Sequence, residues 1–493
     1  MAYIWYGTVA VNFMLALVIV FFQRRDPKTV WAWLLLLYFL PLIGFVLYLF
    51  IGRNFYCEKK FYNKGIEDKR QTEACRQENF IERNDFKLSE KLDKDYAGLV
   101  MFNLKTGNCF YTDDNRVNIY TDGNMKFDAL LKEIDGAEKF VLLQYYIIRD
   151  DILFEKVCRH LKQRMAEGVK VYILVDGVGS SKVSKKIWQK LKADGFWVSI
   201  FFPPVTKKLN LRVNYRNHRK IAVIDGRVGF TGGFNIGKEY LGIDKRFGCW
   251  RDTHLRIEGS AVLELMLKFL QDWNYAAEEA AACLEYTDFL KQIISKEKNA
   301  EVAEERNAFW KNVGLQIVSS GPDLKTEQIR DNFLYMIYRA KQSIYIQTPY
   351  FIPDEAVLCA LRMAAQRGIE VKIMIPCKPD HPFVYWATHS FAGDLLRYGA
   401  KCYVYQNGFL HAKSIMVDGL VASVGTANMD VRSFKLNFEV NAVIYDCRVT
   451  KELERIFLND IGRSQELTLY DYRQRSFGVR IKEQVSRLLS PIL

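Results

Sequence analysis

The sequence predicts an α/β protein in which two homologous domains follow a membrane-inserted helical hairpin. Three observations lead to this fold class. Strand-type and helix-type segments alternate along most of the chain, one short cassette of polar residues occurs twice, and two uncharged runs lie near the N-terminus. A chain of 493 residues is too long for one compact domain and suits two or three.

The two uncharged runs, residues 2–22 and 30–51, are each long enough to cross a hydrocarbon core of roughly 30 Å as a helix. We expect Pro41 and Gly44 to kink the second helix, which membrane-spanning helices tolerate. Basic residues are more numerous after Gly52 than in the short loop between the runs. The positive-inside rule therefore predicts a multi-pass protein of the cell membrane with its large C-terminal part in the cytoplasm.

The composition indicates an acidic partner. The formal net charge is +13 and the pI is about 9.1, which suits nucleic acid or an anionic membrane surface. The hairpin favours the membrane. Ten cysteines without a C-x-x-C pair are typical of reduced thiols on the cytosolic side and provide no zinc-site spacing.

The chain repeats itself over about 200 residues. Residues 137–147 resemble residues 340–350, and each segment is a strand-type run. Helical stretches over 153–167 and 355–367 follow, and a glycine then leads into a buried strand in each half. The repeat therefore predicts two similar layered domains that lie side by side.

These patterns define five segments and leave one question open. The segments are a transmembrane hairpin (1–52), a mostly helical juxtamembrane connector (53–115), a first α/β domain (116–290), a charged linker (291–312) and a second domain with a basic tail (313–493). The tail from Arg473 has apolar residues at helical spacing. It suits equally a position on an anionic membrane and packing on the second domain.

The repeated cassette has matched spacing in both halves. Its members are His218, Lys220, Asp225, Gly232 and Asn235 in the first copy and His411, Lys413, Asp418, Gly425 and Asn428 in the second. A single His near a single Lys would mean little. Two copies that agree at five positions indicate a duplicated unit that supplies two halves of one active site.

Each cassette is predicted to form a hairpin, because an Asp-Gly pair stands between two strand-type runs. Residues two apart on a strand share a face, so His218 and Lys220 point the same way, as do their counterparts. Asp225 and Asp418 lie an odd number of residues further on. Although they belong to the candidate catalytic set, we expect them to anchor the hairpin or the domain contact rather than touch substrate.

The paired residues suit phosphoryl transfer. One neutral His can attack phosphorus while a second, protonated, His gives its proton to the leaving alkoxide. The two Lys would stabilise charge on the phosphate oxygens, and Asn235 and Asn428 could bind the same oxygens. This chemistry needs no cofactor and no metal ion.

The doubled H-x-K-x4-D pattern followed by G-x-x-N resembles the phospholipase D superfamily. The segments GFTGGFNIGKEY, WRDTHLRIEG, TPYFIPDE and GFLHAKSIMVDGLVASVGTANMDVRSFKLNFEV are similar to the bacterial cardiolipin synthases. This resemblance extends over nearly the whole chain. It implies two phospholipase D-like α/β/α domains with mixed central sheets, related by a pseudo-two-fold axis with the site at their seam.

The resemblance also implies the reaction. A membrane-bound phosphatidyltransferase would convert two phosphatidylglycerol molecules to cardiolipin and glycerol through a phosphatidyl-histidine intermediate. His218 is the expected nucleophile. A carboxylate from the same half is expected to orient each His, Asp252 in the first half and Glu439 in the second. Partners would be phosphatidylglycerol and other anionic lipids, without nucleic acid.

Other functions share part of this pattern. A phospholipase D-type hydrolase that releases phosphatidic acid would use the same first half-reaction with water as acceptor. A superfamily nuclease would suit the positive charge, but the membrane hairpin argues against it. A non-enzymatic scaffold is disfavoured by the intact pairs of His, Lys and Asn. The four remaining histidines are expected to be structural or surface groups: His160, His254, His381 and His389.

Overall fold

The computed structural model forms two compact units. One comprises Met1–Lys64 and Pro204–Tyr215, and the other comprises Gly65–Pro203 and Arg216–Leu493. The structure describes residues 2–21, 27–48, 65, 68, 90–203, 214–277, 283–294, 310–324 and 326–490. Most of the expected charged linker, and most basic residues on which the orientation argument depends, lie outside the described residues.

The described residues of the N-terminal unit form three apolar helices. They are α1 (Ala2–Phe21), α2 (Pro27–Phe39) and α3 (Pro41–Leu47). The expected kink is present, because the second apolar run breaks at Leu40 before Pro41. Pro41 has no N–H to donate to Leu37, and the Asn12 amide instead donates to the Leu37 carbonyl (3.2 Å) and the Pro41 carbonyl (2.9 Å). Among the described residues, no helix combines the length and apolar character needed to cross a bilayer.

In the described residues, the main unit is built on one 16-stranded mixed sheet and two separate two-stranded sheets, which pair Trp250–Arg251 with Phe409–Leu410 and Phe351–Ile352 with Met429–Asp430. The first half contributes β1 (Tyr111–Tyr120), β2 (Phe140–Tyr145), β3 (Lys170–Asp176), β4 (Trp197–Phe201), β5 (Arg216–Asn217), β6 (Ile221–Ile224), β7 (Val228–Gly232), β8 (Trp250–Arg251) and β9 (His254–Glu258). The second half contributes β10 (Trp310–Ser320), β11 (Ser343–Gln347), β12 (Phe351–Ile352), β13 (Glu370–Pro376), β14 (Lys401–Tyr405), β15 (Phe409–Leu410), β16 (Ser414–Val417), β17 (Val421–Gly425), β18 (Met429–Asp430), β19 (Asn437–Tyr445) and β20 (Ser464–Leu467).

The strand order repeats on either side of a central antiparallel pair, β1 and β10. It runs β4-β3-β2-β6-β7-β9-β1 in the first half and β10-β19-β17-β16-β11-β13-β14 in the second, with β20 added at the outer edge. In each half the three outer strands of this pattern are parallel and the rest are antiparallel. The expected mixed sheets are therefore present, and they are joined into one.

Most helices follow equivalent strands in the two halves. The first half has α4 (Glu90–Gly107), α5 (Gly123–Asp135), α6 (Ile152–Ala166), α7 (Lys185–Ala193), a 3₁₀ turn (Lys238–Leu241), α8 (Ala261–Ala276) and α9 (Tyr286–Ile294). The second has α10 (Gln328–Arg339), α11 (Glu355–Gln366), α12 (Pro382–Leu396), α13 (Val431–Lys435), α14 (Cys447–Ile461), α15 (Leu469–Gln474) and α16 (Phe477–Leu488). Aspartates cap α6 and α11, which confirms both helices predicted after the first repeated strand.

Two of the expected domain boundaries, residues 116 and 313, fall inside β1 and β10. Residues 90–115, the described C-terminal part of the expected connector, pack into the main unit. In α4, Tyr96, Leu99 and Val100 belong to the apolar core of the second half. Asn103 donates to Gln316 (2.9 Å), because an amide buried in that core needs a partner.

The C-terminal helix α16 packs on the second half through polar side chains. Glu483 and Ser486 are buried, and Arg487 binds Asp394 of α12. This confirms packing on the second domain. The apolar residues of the same helix remain exposed, however, and they are Phe477, Ile481, Val485 and Leu488.

Asp225 and Asp418 occupy equivalent hairpin turns with positive φ angles of 52° and 55°. Asp225 accepts hydrogen bonds from three successive backbone N–H groups at the start of β2, at 2.8–2.9 Å. Asp418 does the same at the start of β11. Each carboxylate therefore holds the cassette hairpin against its neighbouring strand, as the spacing predicted.

We expect Asp225→Ala and Asp418→Ala each to lower the free energy of unfolding by roughly 3 kcal/mol, since backbone donors lose a charged acceptor. Denaturant and thermal unfolding of the purified protein would measure this change. Asp128→Ala is the control, because that side chain is 70% exposed and its ion pair lies at the surface. Equal stability of the anchor variants and the control would contradict this role.

Candidate active site

Two short strand pairs connect the halves where the cassettes begin. β5 of the first half lies parallel to β19, and β15 of the second half lies parallel to β8. The backbone N–H of His218 donates to the Phe438 carbonyl (2.9 Å), and that of His411 donates to the Arg251 carbonyl (2.7 Å). Each His is therefore fixed by a strand from the opposite half.

The orienting carboxylates also cross the seam. His218 Nδ1 lies 3.0 Å from Glu439 Oε2, and His411 Nδ1 lies 2.7 Å from Asp252 Oδ2. The expectation that each His takes a carboxylate from its own half is therefore wrong. The same two acids are involved, but the partners are exchanged, because β5 pairs with β19, which contains Glu439, and β15 pairs with β8, which ends directly before Asp252.

The two carboxylates are supported in different ways. Thr426 Oγ1 donates to Glu439 Oε2 at 2.5 Å. Its counterpart in the first half is Gly233, where an added Cβ would come within 1.8 Å of Asp252 Oδ1. Gly233 is thus required by the close approach of Asp252. The shorter Asp252 therefore lies against a glycine, whereas the longer Glu439 lies against a threonine hydroxyl.

The cassette lysines are buried beside the histidines. Lys220 Nζ donates to the His218 carbonyl (2.6 Å), and Lys413 Nζ contacts the His411 carbonyl and lies 2.8 Å from His411 Nδ1. Burial lowers the pKa of Lys220 to about 7, although Glu439 opposes this change. Burial likewise lowers the pKa of Lys413 to about 8, with Asp252 opposing.

Both imidazoles favour the neutral form in the unliganded protein. Burial, and then the charge of Lys413, lowers the pKa of His411 to about 4. Burial also lowers the pKa of His218, against the opposing charge of Glu439. Lys413 affects His218 and Lys220 affects His411, so the two cassettes lie within electrostatic reach of each other.

The orienting acids remain ionised. Burial alone would raise the pKa of Glu439 and of Asp252, but nearby His218 and Lys413, respectively, lower each pKa below its usual value. A carboxylate at Nδ1 selects the tautomer with the proton on that nitrogen. The lone pair of each imidazole is then on Nε2, where it can act as a nucleophile or base.

The two asparagines have protein partners in this structure. Asn235 Oδ1 accepts from the Ile147 N–H (3.0 Å), and its Nδ2 donates to the Tyr240 hydroxyl (2.9 Å). Asn428 hydrogen-bonds Asp430 through its side chain, and its buried Oδ1 has no hydrogen-bond partner. Asn235 therefore supports the wall of the site here, and phosphate binding by either residue stays a prediction.

Aromatic rings complete the walls, and sequence reasoning missed them. The Tyr146 ring centroid lies 4.8 Å from that of His218, and the Trp250 centroid lies 5.1 Å from that of His411. The position of Trp250 directly before Arg251 and Asp252 could have indicated its role. Within the described part of the chain, no group of three or more His, Cys, Asp and Glu side chains has the arrangement of a metal site.

The family is shown by comparison with known sequences. The profile for "Cardiolipin synthase, PLD-like domain" matches residues 130–273 and 333–461, and the "Phospholipase_D-nuclease N-terminal" profile matches residues 10–53. The chain belongs to the cardiolipin synthase family of phospholipase D-like proteins. The two profile matches cover both cassettes and the N-terminal hairpin region.

Curated members of the cardiolipin synthase family align with the chain over its whole length. It is 46% identical to a cardiolipin synthase of Oceanobacillus iheyensis, over 99% of this chain and 98% of that protein. It is 45% identical to the major cardiolipin synthase ClsA of Bacillus subtilis, over 98% and 97%. A cardiolipin synthase of Listeria monocytogenes is 44% identical, over 100% and 99%.

A solved structure supports the fold. The phosphatidylserine synthase of Haemophilus influenzae superposes with a TM-score of 0.57, over 76% of this chain and 95% of that protein. The sequence identity is 14%, so this likeness concerns the fold alone. The duplicated α/β architecture of the family is therefore also found in a solved structure of distant sequence.

The crossed pairing makes a specific prediction for the two imidazoles. Glu439→Gln should lower the pKa of His218 further and leave that of His411 unchanged, because Glu439 raises only the first by direct contact. Asp252→Asn should do the reverse. Histidine NMR titrations, with signals assigned from His→Ala variants, would measure both. Effects on the His of the same half would contradict the crossed geometry.

Proposed function

We propose that this chain is a membrane-bound phosphatidyltransferase that converts two phosphatidylglycerol molecules to cardiolipin and glycerol. The observation that carries the proposal is the pair of buried imidazoles, one from each cassette, whose Nδ1 atoms contact ionised carboxylates from opposite halves. Full-length identity of 44–46% to curated cardiolipin synthases supports the substrate and the product.

His218 is the proposed nucleophile. Its neutral Nε2 attacks phosphorus of the first phosphatidylglycerol, and the bond from phosphorus to the headgroup glycerol oxygen breaks. Protonated His411 gives its proton to that oxygen, and glycerol leaves. A terminal hydroxyl of the second lipid then gives its proton to His411 and attacks phosphorus. The phosphorus–nitrogen bond breaks, so cardiolipin forms and both imidazoles return to their first state.

The substrate itself would adjust the protonation of the site. A phosphodiester anion between the cassettes raises the pKa of nearby imidazoles and ammonium groups, because it stabilises their charged forms. Lys220 and Lys413, whose pKa values burial lowers to about 7 and about 8, would then be fully charged beside the phosphate oxygens. Both His pKa values are lowered in the unliganded protein, so they do not by themselves select the nucleophile.

We expect the purified, detergent-solubilised protein to convert labelled phosphatidylglycerol to cardiolipin and free glycerol with EDTA present. His218→Ala and His411→Ala should each abolish turnover, and mass spectrometry would identify the products. Partly buried His160, which contacts Asp135 outside the site, provides the matched control, and His160→Ala should leave activity unchanged. Phosphatidic acid as the sole product would instead indicate a hydrolase, and cleavage of nucleic acid alone would contradict the lipid reaction.

The same assay identifies the nucleophile. The substrate is phosphatidylglycerol radiolabelled in the phosphatidyl group, which is the part transferred to the enzyme. The His411→Ala protein should keep covalent label and the His218→Ala protein should keep none, because only the nucleophile bonds to phosphorus. The opposite pattern would assign the nucleophile to His411.

The membrane location is also a proposal. Two apolar helical segments with exposed aromatic side chains, including Tyr3, Phe13, Trp31 and Tyr38, suit a lipid-embedded hairpin better than an aqueous surface. The exposed apolar row of α16 lies among Arg480, Lys482 and Arg487, which suits contact with an anionic lipid surface. We place the catalytic unit on the cytoplasmic side.

We expect the full-length protein to stay in the membrane fraction after an alkaline carbonate wash, because a spanning hairpin is not extracted with peripheral proteins. Protease added to inside-out vesicles should degrade the catalytic unit, whereas protease added to right-side-out vesicles should not. Release by carbonate would contradict the hairpin, and the reverse protease pattern would contradict the orientation.

A further inference from the structure

Two buried arginines lie behind the histidines, and the reaction as described does not use them. Arg219 is 2% exposed and Arg251 is 6% exposed. Each forms an ion pair with an aspartate near the C-terminal end of a core helix, Asp272 of α8 for the first and Asp460 of α14 for the second. The two helices occupy equivalent positions after β9 and β19.

In the first network Arg219 connects the core to the acid that orients His218. Its Nη1 lies 2.7 Å from both carboxylate oxygens of Asp272. Its Nε donates to the backbone carbonyl of Glu439 at 3.2 Å, across the seam. Gln144 of β2 also donates to Asp272, at 2.7 Å. The main chain of Glu439 is therefore tied to a fully buried carboxylate of the other half.

The second network contacts the backbone of the other orienting acid. Arg251 Nε donates to Asp460 at 2.8 Å, and its Nη1 donates to the backbone carbonyl of Asp252, the acid that orients His411. Gln347 of β11 donates to Asp460 at 2.9 Å. Gln347 and Gln144 are at the same position of the repeated strand, so both networks use the same supporting residue.

The two arginines come from different positions of the repeat. Arg219 stands between His and Lys of the first cassette, where the second cassette has Ala412. Arg251 stands directly before its acid, where the second half has Phe438. These positions are close in space, since the Arg219 guanidinium lies 5.4 Å from the Phe438 ring centroid. Both arginines thus come from the first half, one from its cassette and one from β8, yet each lies behind a different histidine.

Two arginines at different positions of the repeat make equivalent contacts, and a contribution to stability alone does not explain this. Burying a guanidinium and a carboxylate is costly, and apolar side chains of similar size often stabilise a fold equally well. What both networks have in common is the backbone carbonyl of a His-orienting acid. The common contact therefore indicates a role in placing that acid.

We propose that Arg219 and Arg251 are positioning residues, which hold the main chain of Glu439 and Asp252 so that each carboxylate meets the Nδ1 atom of the histidine across the seam. This inference rests on the proposed function and adds to it the residues that set the geometry of the histidines. Arginine suits this role because its planar fork binds a carboxylate and a carbonyl at once.

The test compares purified full-length variants in the phosphatidylglycerol assay. Arg219→Met and Arg251→Met should each lower kcat by roughly 10- to 100-fold, with KM changed by less than about threefold, since loss of a residue that orients a catalytic ligand has effects of this size. In Arg219→Met the limb of the pH–rate profile set by His218 should move to lower pH, because Glu439 raises the pKa of His218. Arg219→Lys, which retains the positive charge but not the fork, should fold and show a similar loss.

A relocation variant separates positioning from simple loss of structure. Arg219→Ala combined with Phe438→Arg gives the first network the arrangement of the second, in which Ala412 stands in the cassette and Arg251 stands before the acid. The kcat of this double variant should be at least about tenfold higher than that of Arg219→Met, and its pH–rate profile should match that of the unmodified protein. Arg256→Met is the matched control, because Arg256 is equally buried and binds Glu133 rather than a His-orienting acid. Its kcat should stay within about twofold of the unmodified protein.

Wild-type kcat and an unchanged pH profile in Arg219→Met and Arg219→Lys would overturn the proposal, as would losses no larger than that of Arg256→Met. Failure of the unmodified protein to form cardiolipin would contradict the proposed function instead. The Nδ1–H NMR signal of His218 tests positioning without any substrate. Its loss in Arg219→Met and return in the relocation variant support the inference, and its persistence in Arg219→Met overturns it.

Discussion

The structure depends on one interaction made twice, the contact between an imidazole and a carboxylate from the opposite half. Neither half contains a complete pair, because His218 meets Glu439 and His411 meets Asp252. The continuous sheet through β1 and β10, and the short seam strands, serve to bring these four side chains together. A separated half would lack the carboxylate that contacts its histidine.

Burial gives this site its electrostatic character. Two lysines and two histidines share a region that water scarcely reaches, so their charged forms are disfavoured until an anion arrives. The ionised carboxylates partly offset this effect, and they also select the imidazole tautomer. In the proposed reaction a phosphodiester anion would stabilise the charged forms of these groups and raise their pKa values.

The two halves of the duplicated chain support the two carboxylates with different residues. The shorter acid, Asp252, approaches a glycine so closely that a side chain cannot fit there, whereas the longer Glu439 is supported by Thr426. The arginines behind the two acids occupy different positions of the repeat and contact equivalent backbone carbonyls. The two histidine–carboxylate contacts are therefore equivalent in the two halves, whereas the residues that support the carboxylates differ.

The sequence by itself determined the features that depend on local spacing. These are the alternating strands and helices, the Asp-Gly hairpins with anchoring aspartates, the shared face of His and Lys, the break at Pro41 and the family. Only the tertiary structure decided which acid serves which histidine, because the contacts join residues 159 and 221 positions apart and either pairing satisfies the same spacing. It also placed α4 in the core of the second half and turned the apolar row of α16 outward. Periodicity shows that a helix has two faces, but the neighbouring surface decides which one is buried.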